Sequence, residues 1–186
     1  MREKLKKYLD PIAIVFVHIG FTPNFASFLG LSFAFLAGLM FLYGRLFFAS
    51  LFILISGFFD VLDGAIARVS DVSSNFGAFL DSMLDRLSDF IIISSIIYAS
   101  LCALEWGLSA LVGSFLVSYA RARGEALGVR MSGVGIAERA ERLIILALGS
   151  FLNVVDWAIT IIAIFTLVTV VIRFYKVWIE LRGDAA

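Results

Sequence analysis

The sequence predicts an all-α polytopic membrane protein, with six transmembrane helices and an N-terminal helix on the membrane surface. Three observations predict it. Of the 186 residues, 61% are hydrophobic and 16% charged, and the mean hydropathy is +1.00; a soluble domain carries about 45–50% apolar and about 25% charged residues. Six apolar runs, at roughly 24–44, 46–68, 76–101, 106–122, 137–152 and 154–178, approach the length of about 20 residues that crosses a hydrocarbon core. The basic residues sort by side. With six spans, Arg2, Lys4, Lys6, Lys7, Arg68, Arg121, Arg123, Arg130, Arg139, Arg142, Arg173, Lys176 and Arg182 fall on the side of the N-terminus, only Arg45 on the other, and Arg86 inside a span. That asymmetry places both termini in the cytoplasm of a cell-membrane protein. The spans occupy most of the chain, which predicts one integral-membrane domain over 1–186.

The first segment, 1–20, has a basic start and an apolar stretch, like a signal peptide, but lacks a small-residue cleavage site. Lys4, Lys6 and Lys7 against Leu5, Leu9 and Ile12 predict an amphipathic juxtamembrane helix, broken early by Asp10-Pro11. The last two runs nearly touch, so Asn153 and Asp156 must share a tight turn. Trp106, Trp157 and Trp178 read as interfacial anchors. Fifteen basic and fifteen acidic residues cancel, so no overall field favours nucleic acid. The lone Cys102 excludes an intrachain disulfide and a cysteine metal cage, and reads as a buried small hydrophobe.

The second and third runs carry the chemistry: FFDVLDGAIARVSDVSSNFGAFLDSMLDRLSD. Asp60, Asp63, Asp81, Asp85 and Asp89 lie among Phe, Leu and Ile, where one charged Asp at a helix centre costs about 2.5–3.5 kcal/mol on insertion scales. Asp60 and Asp63 are i,i+3, and Asp81 and Asp85 are i,i+4, so each pair shares a helix face. The turn between them falls near Asp71–Ser74, about nine residues from Asp63 and Asp81 and about twelve or thirteen from Asp60 and Asp85. An antiparallel hairpin would therefore bring the four together in two levels. Hard oxygen ligands without His or Cys select Mg²⁺, Mn²⁺ or Ca²⁺, and four carboxylates suffice for two ions that clamp the attacking and leaving oxygens of a phosphoryl transfer. Two other readings are Asp–Arg pairing with Arg68 and Arg86, and a cation or proton pathway through a transporter. Gly64, Ala67 and Gly77 let a ligand approach the backbone, with close helix packing as their alternative. Arg68 offers a fork for phosphate oxygens.

Asp60-x2-Asp63-Gly64-x2-Ala67-Arg68-x8-Gly77-x3-Asp81-x3-Asp85 resembles the complete signature of the CDP-alcohol phosphotransferase family. The family's six-helix membrane fold agrees with the span count. The resemblance implies transfer of a phosphatidyl-type group from a CDP-linked lipid, CDP-diacylglycerol or CDP-archaeol, to an alcohol, with release of CMP. It implies two divalent cations, Mg²⁺ or Mn²⁺, on Asp60, Asp63, Asp81 and Asp85, with Asp85 also the general base. Gly64, Ala67, Arg68 and Gly77 would hold the CDP moiety, and Ser74 would add a hydroxyl. Thr22-Pro23-Asn24 resembles a further family element near CDP; its plainer reading is a helix start with Asn24 as a capping or turn residue. A homodimer is implied as well.

The segment SYARARGEALGVRMSGVGIAERAERLIIL bears on the acceptor. Arg121, Arg123, Arg139 and Arg142 flank a Gly-rich cytoplasmic loop, and a phosphorylated polyol needs such a cluster where a neutral alcohol does not. Positive-inside anchoring, or pairing with Glu125, Glu138 and Glu141, is the alternative. The segment is similar to the phosphatidylinositol-phosphate and archaetidylinositol-phosphate synthase branch, which implies inositol 1-phosphate as acceptor and Arg121, Arg139 and Arg142 as its phosphate ligands. A phosphatidylglycerophosphate synthase using glycerol 3-phosphate is the next reading. Asp89 continues the face of Asp85 outside the signature, with Arg86 close by.

Overall fold

The computed structural model describes residues 2–72, 74–136 and 138–183, with side chains from residue 9 to 182. Among the described residues the chain forms seven helices and no strand: α1 Arg2–His18, α2 Pro23–Leu42, α3 Leu46–Val69, α4 Asn75–Tyr98, α5 Leu104–Ala126, α6 Arg139–Phe151 and α7 Val155–Gly183. The six apolar runs are α2 to α7.

Helix ends follow from local chemistry. Thr22 caps α2 by accepting a hydrogen bond from the Phe25 N–H, with Pro23 at the first helical position. Ser74 caps α4 by accepting from the Gly77 N–H at 2.9 Å. At the other ends the chain enters the left-handed region. After α2 this falls at Gly44 (φ 65), followed by Arg45 N–H donating to Met40 O at 2.8 Å. After α6 it falls at Asn153 (φ 58), where Val154 N–H donates to Gly149 O at 2.7 Å. This 6→1 closure lets a helix stop and reverse within three or four residues, which is how α6 and α7 nearly touch. Asp156, in the first turn of α7, accepts from the Ala103 N–H at the start of α5.

Pro11 does not break α1, which runs through it to His18. A proline removes one helix hydrogen bond and is normally disruptive; here tertiary packing offsets it. Ala13 is fully buried in a cluster with Ala26, Leu62, Ala65 and Ile66, and Leu9, Phe16 and Val17 pack on it. The expected surface face of α1 rests partly on Leu5 and Lys4, Lys6 and Lys7, whose side chains lie outside the described residues.

Three helices are long and apolar enough to cross a membrane by length and composition: α2, α3 and α7. By this measure three of the six expected spans are supported, and α4, α5 and α6 fall short of it. α4 carries Asp81, Asp85, Arg86 and Asp89, α5 carries Glu105, Arg121, Arg123 and Glu125, and α6 has only 13 residues. Large apolar side chains nevertheless cover the outside on helices of both kinds, among them Phe35, Phe48, Phe90, Val112, Leu148 and Val171. An apolar exterior this extensive belongs against lipid, and the chain is an integral membrane protein. Trp106, Trp157 and Trp178 sit near helix ends and are all exposed. The Cys102 thiol is half-buried between α4 and α5, and burial, with Asp156 and Glu105 nearby, pushes its pKa up.

The arrangement of α2, α3 and α4 positions the site. α2 packs extensively against both α3 and α4, whereas α3 and α4 make no such contact with each other. Small residues let α2 come so close: a Cβ on Gly30 would meet Asp60 Oδ1 at 2.9 Å, and one on Gly38 would meet Ser95 Oγ at 2.7 Å. The acidic faces of α3 and α4 thus look at each other across a gap floored by α2. α6 closes it from α3, and α5 packs on α4 and α7. The α5–α7 contact is tight at Gly113, where a Cβ would meet Thr166 Cβ at 2.8 Å. Gly113→Ala should lower stability by about 1–3 kcal/mol through overpacking, read as an earlier denaturation midpoint in detergent; an unchanged midpoint would show that this seam can yield.

Candidate active site

The carboxylates pair in two levels across the gap. At the outer level Asp63 of α3 and Asp81 of α4 line the same cavity. Ser27 of α2 donates to Asp63 Oδ2 at 2.6 Å from beneath. At the inner level one nitrogen, Arg139 Nη1, bridges Asp60 and Asp85, contacting Asp60 Oδ2 directly and standing 2.7 Å from Asp85 Oδ1. Arg139 Nε also donates to Asp89 Oδ1 at 3.3 Å, and Arg86 lies 3.8 Å from Asp85 Oδ2.

The four signature aspartates are therefore neighbours but do not converge on one point. Among the described residues no three His, Cys, Asp or Glu side chains stand close enough to hold a metal ion together. The reason is visible: the Arg139 guanidinium occupies the space between Asp60 and Asp85, and Asp63 is turned toward Ser27. The donor set still fits hard divalent cations. Every group is a carboxylate oxygen, and the cluster already draws a cation into its midst.

Three cavities surround these acids. The first, about 420 Å³, is lined by Asn24, Ser27, Asp63, Gly64, Ala67, Ser74, Gly77 and Asp81, among others. Five of the six residues expected to contact CDP thus share one space with one carboxylate pair. Arg68 stands at its edge: its Nη1 lies 3.6 Å from where a Gly64 Cβ would be, and its Nη2 donates to Asp10 of α1 at 3.4 Å. Asn24 is not the cap of α2; Thr22 is, which leaves Asn24 facing Gly77. The Ser74 oxygen accepts the α4 cap hydrogen bond, which leaves its O–H available to donate. The N-termini of α2 and α4 both open on this cavity, an arrangement that favours anionic groups. The second cavity, about 330 Å³ and mostly apolar, lies between α3 and α6, with Asp60, Asp85 and Arg139 at one end and Ile53, Leu54, Leu143 and Ile144 along it.

The third is smaller, about 110 Å³, and basic: Arg86, Arg121, Arg139, Arg142 and Arg173 line it together with Asp85, Asp89 and Glu138. The three arginines expected at an acceptor phosphate meet here, each already engaged. Arg121 Nε is 3.1 Å from Glu125, Arg139 lies among the acids, and the buried Arg142 donates to Asp89 Oδ2 at 2.7 Å. Asp89, expected near Arg86, is held instead by Arg142 and Arg139. Arg123 lines a different, apolar recess against α7.

Two residues that the sequence reading passed over belong to this region. Ser27 fixes Asp63, and nothing in its sequence context marks it. Arg173 of α7 is 2% exposed and donates to Val117 O at 2.5 Å and Val134 O at 2.9 Å, tying the 127–138 loop to α5. An arginine this deep in an apolar run was a signal in itself, masked because it also fitted the positive-inside pattern.

A helical membrane protein with a gap of paired carboxylates beside a basic cavity is the frame of a phosphoryl-transfer enzyme. Residues 20–172 match the family described as CDP-alcohol phosphatidyltransferase, and the chain belongs to that family. It is a transferase of phospholipid biosynthesis, not the cation pathway that its acids alone would also allow. It is similar to the archaetidylinositol phosphate synthase of Methanothermobacter thermautotrophicus, 40% identical over 97% of this chain and 94% of that one. It is likewise similar to the archaetidylinositol phosphate synthase of Pyrococcus horikoshii, 36% identical over 95% and 94%. Among solved structures, the phosphatidylinositol phosphate synthase of Mycobacterium tuberculosis with CDP-DAG bound superposes with a TM-score of 0.80, at 31% identity over 92% of this chain and 94% of that one. The same mycobacterial protein in complex with manganese and citrate gives 0.80, at 32% identity over 91% and 88%.

Proposed function

We propose that the chain transfers the lipid-bearing phosphoryl group of a CDP-linked lipid to a hydroxyl of inositol 1-phosphate and releases CMP. One observation carries this reading: Asp85 lines both the apolar cavity that holds Asp60 and the basic cavity that holds the arginines. A group at that position reaches a lipid donor on one side and an anionic acceptor on the other.

The nucleotide end of the donor fits the cavity of Asn24, Gly64, Ala67, Ser74 and Gly77, with Arg68 at the rim. The diphosphate then lies by the α2 and α4 N-termini and the Asp63–Asp81 pair, and the lipid chains leave sideways between helices. Asp60, Asp63, Asp81 and Asp85 would hold two Mg²⁺ or Mn²⁺ ions, which supply charge neutralisation on the diphosphate. The manganese complex of the similar mycobacterial protein supports that choice. Asp85 takes the proton of the acceptor hydroxyl. The hydroxyl oxygen bonds to the lipid-bearing phosphorus as the bond from that phosphorus to the CMP oxygen breaks, and CMP departs with the electron pair. Arg121, Arg139 and Arg142 receive the acceptor's phosphate.

We read α4, α5 and α6 as spans too, completing six with both termini and the site toward the cytoplasm. α4 and α5, at 24 and 23 residues, match α3 in length. The charges of α4 face the gap instead of lipid, and most of those on α5 gather at its cytoplasmic end. α6 is joined to α7 by the Asn153 turn, and its 13 residues reach about 20 Å at 1.5 Å per residue, most of the way across. On this reading the whole chain is one membrane domain, and the family resemblance implies a homodimer.

CMP release by the purified chain with Mg²⁺ or Mn²⁺ and a fixed CDP-lipid tests the acceptor. Inositol 1-phosphate should support turnover, and free inositol and serine should not; preference for glycerol 3-phosphate would overturn the acceptor assignment. Arg121→Ala should raise the acceptor KM by about tenfold, the loss of one charge-assisted contact of roughly 1.4 kcal/mol, with kcat little changed. An unchanged KM would remove Arg121 from the acceptor site.

A further inference from the structure

Arg139 is the first residue of α6, so its side chain reaches from a helix start into the gap between α3 and α4. There a single nitrogen spans two carboxylates from two helices, and Nε engages a third. Its Nη2 is buried with no hydrogen-bond partner among the described residues. A guanidinium usually uses its fork bidentately; this one gives up a donor in order to put one nitrogen at the Asp60–Asp85 bridging position. That is the position a divalent cation shared by the same two carboxylates would need. Electrostatics demands some cation there, because the acids outnumber the arginines beside them. The same side chain also borders the basic cavity with Arg121, Arg142 and Arg173, so a modest rotation would carry its charge from the acids into that cavity.

We propose that Arg139 is the resident cation of the metal-free enzyme. Guanidinium and divalent ion exclude one another at Asp60 and Asp85, and metal loading releases Arg139 into the basic cavity, where it completes the anion site for the acceptor. This rests on the reading of the aspartates as metal ligands. It adds an order of events: the acceptor's phosphate site is incomplete until the metal is in place, and by linkage an anion held by Arg139 favours metal in turn.

The test is Mn²⁺ binding by the full chain in detergent or nanodiscs, with free Mn²⁺ followed by electron paramagnetic resonance and no substrate present. Arg139→Gln should bind Mn²⁺ at least about tenfold more tightly than wild type, since the ion no longer competes with the guanidinium. Arg86→Gln removes the same charge from the same cluster but leaves the bridging position occupied, and should shift the affinity far less. The denaturation midpoint should report the same exchange: without metal Arg139→Gln should be less stable than wild type, and Mn²⁺ should raise its midpoint more. Arg139→Lys keeps a cation without the planar fork and should fall between the two, which keeps the test open if the Gln variant is poorly folded. Binding by Arg139→Gln that is equal to or weaker than wild type, or an equal gain from Arg86→Gln, would overturn the resident-cation proposal while leaving the metal site intact. No Mn²⁺ binding by any of these chains would overturn the metal reading itself, and this proposal with it.

Discussion

Replacing Asp85 with Asn should lower CMP release by about 100- to 10,000-fold or more, the range that a general base contributes, while CDP-lipid binding is largely retained. The expectation comes from position. Asp85 alone among the signature aspartates borders the basic cavity, and it also borders the apolar one. Asp63 and Asp81 face the cavity assigned to CDP and are untouched by the substitution. Asn preserves volume but cannot take a proton at neutral pH. Single-turnover CMP release alongside equilibrium binding of the CDP-lipid separates the two effects. A variant that turns over within tenfold of wild type would move the base elsewhere, and a parallel loss of donor binding would make Asp85 a donor ligand first.

The parts of this site that could be read from sequence are those fixed within one helix or one hairpin. Helical spacing puts Asp60 beside Asp63 and Asp81 beside Asp85, and equal counts from the turn pair Asp63 with Asp81. Hydropathy places the six apolar helices to within a few residues, and the structure ends them on local features at Thr22, Ser74, Gly44 and Asn153. What escaped it depends on helices distant in sequence. Asp89 and Arg142 are 53 residues apart, and Asp60 and Arg139 are 79 apart; nothing local says that the start of α6 enters the gap. Charge pattern alone left Arg139 and Arg142 as acceptor ligands or surface anchors, whereas both are drawn toward carboxylates. The hairpin picture also overstated the closeness of the acids. It assumed that α3 packs on α4, but α2 packs against both, and the space left between them holds the first cavity. Pro11 departs from its local expectation for a similar reason, since its penalty is outweighed by burial of Ala13 and its neighbours.

The second large effect concerns stability. Arg142 and Asp89 are 5% and 7% exposed, and they pair at 2.7 Å in the middle of the bundle. Arg142→Met should cost about 3–5 kcal/mol, because breaking one side of a buried pair leaves the other charge without compensation. Arg139 offsets this only in part: its contact with Asp89 is 3.3 Å, and it is shared with Asp60 and Asp85. If unpaired charge is the cause, removing Asp89 as well should restore much of the loss, so Asp89→Leu combined with Arg142→Met should be more stable than Arg142→Met alone. Activity should not follow stability. The double variant still lacks one arginine of the basic cavity, so its KM for a phosphorylated acceptor should stay raised after its denaturation midpoint has recovered. A midpoint in the double variant as low as in the single one would show that Arg142 holds the fold by packing of its long side chain and that its charge is secondary. Recovery of both midpoint and KM would take Arg142 out of the acceptor site and leave it a purely structural partner of Asp89.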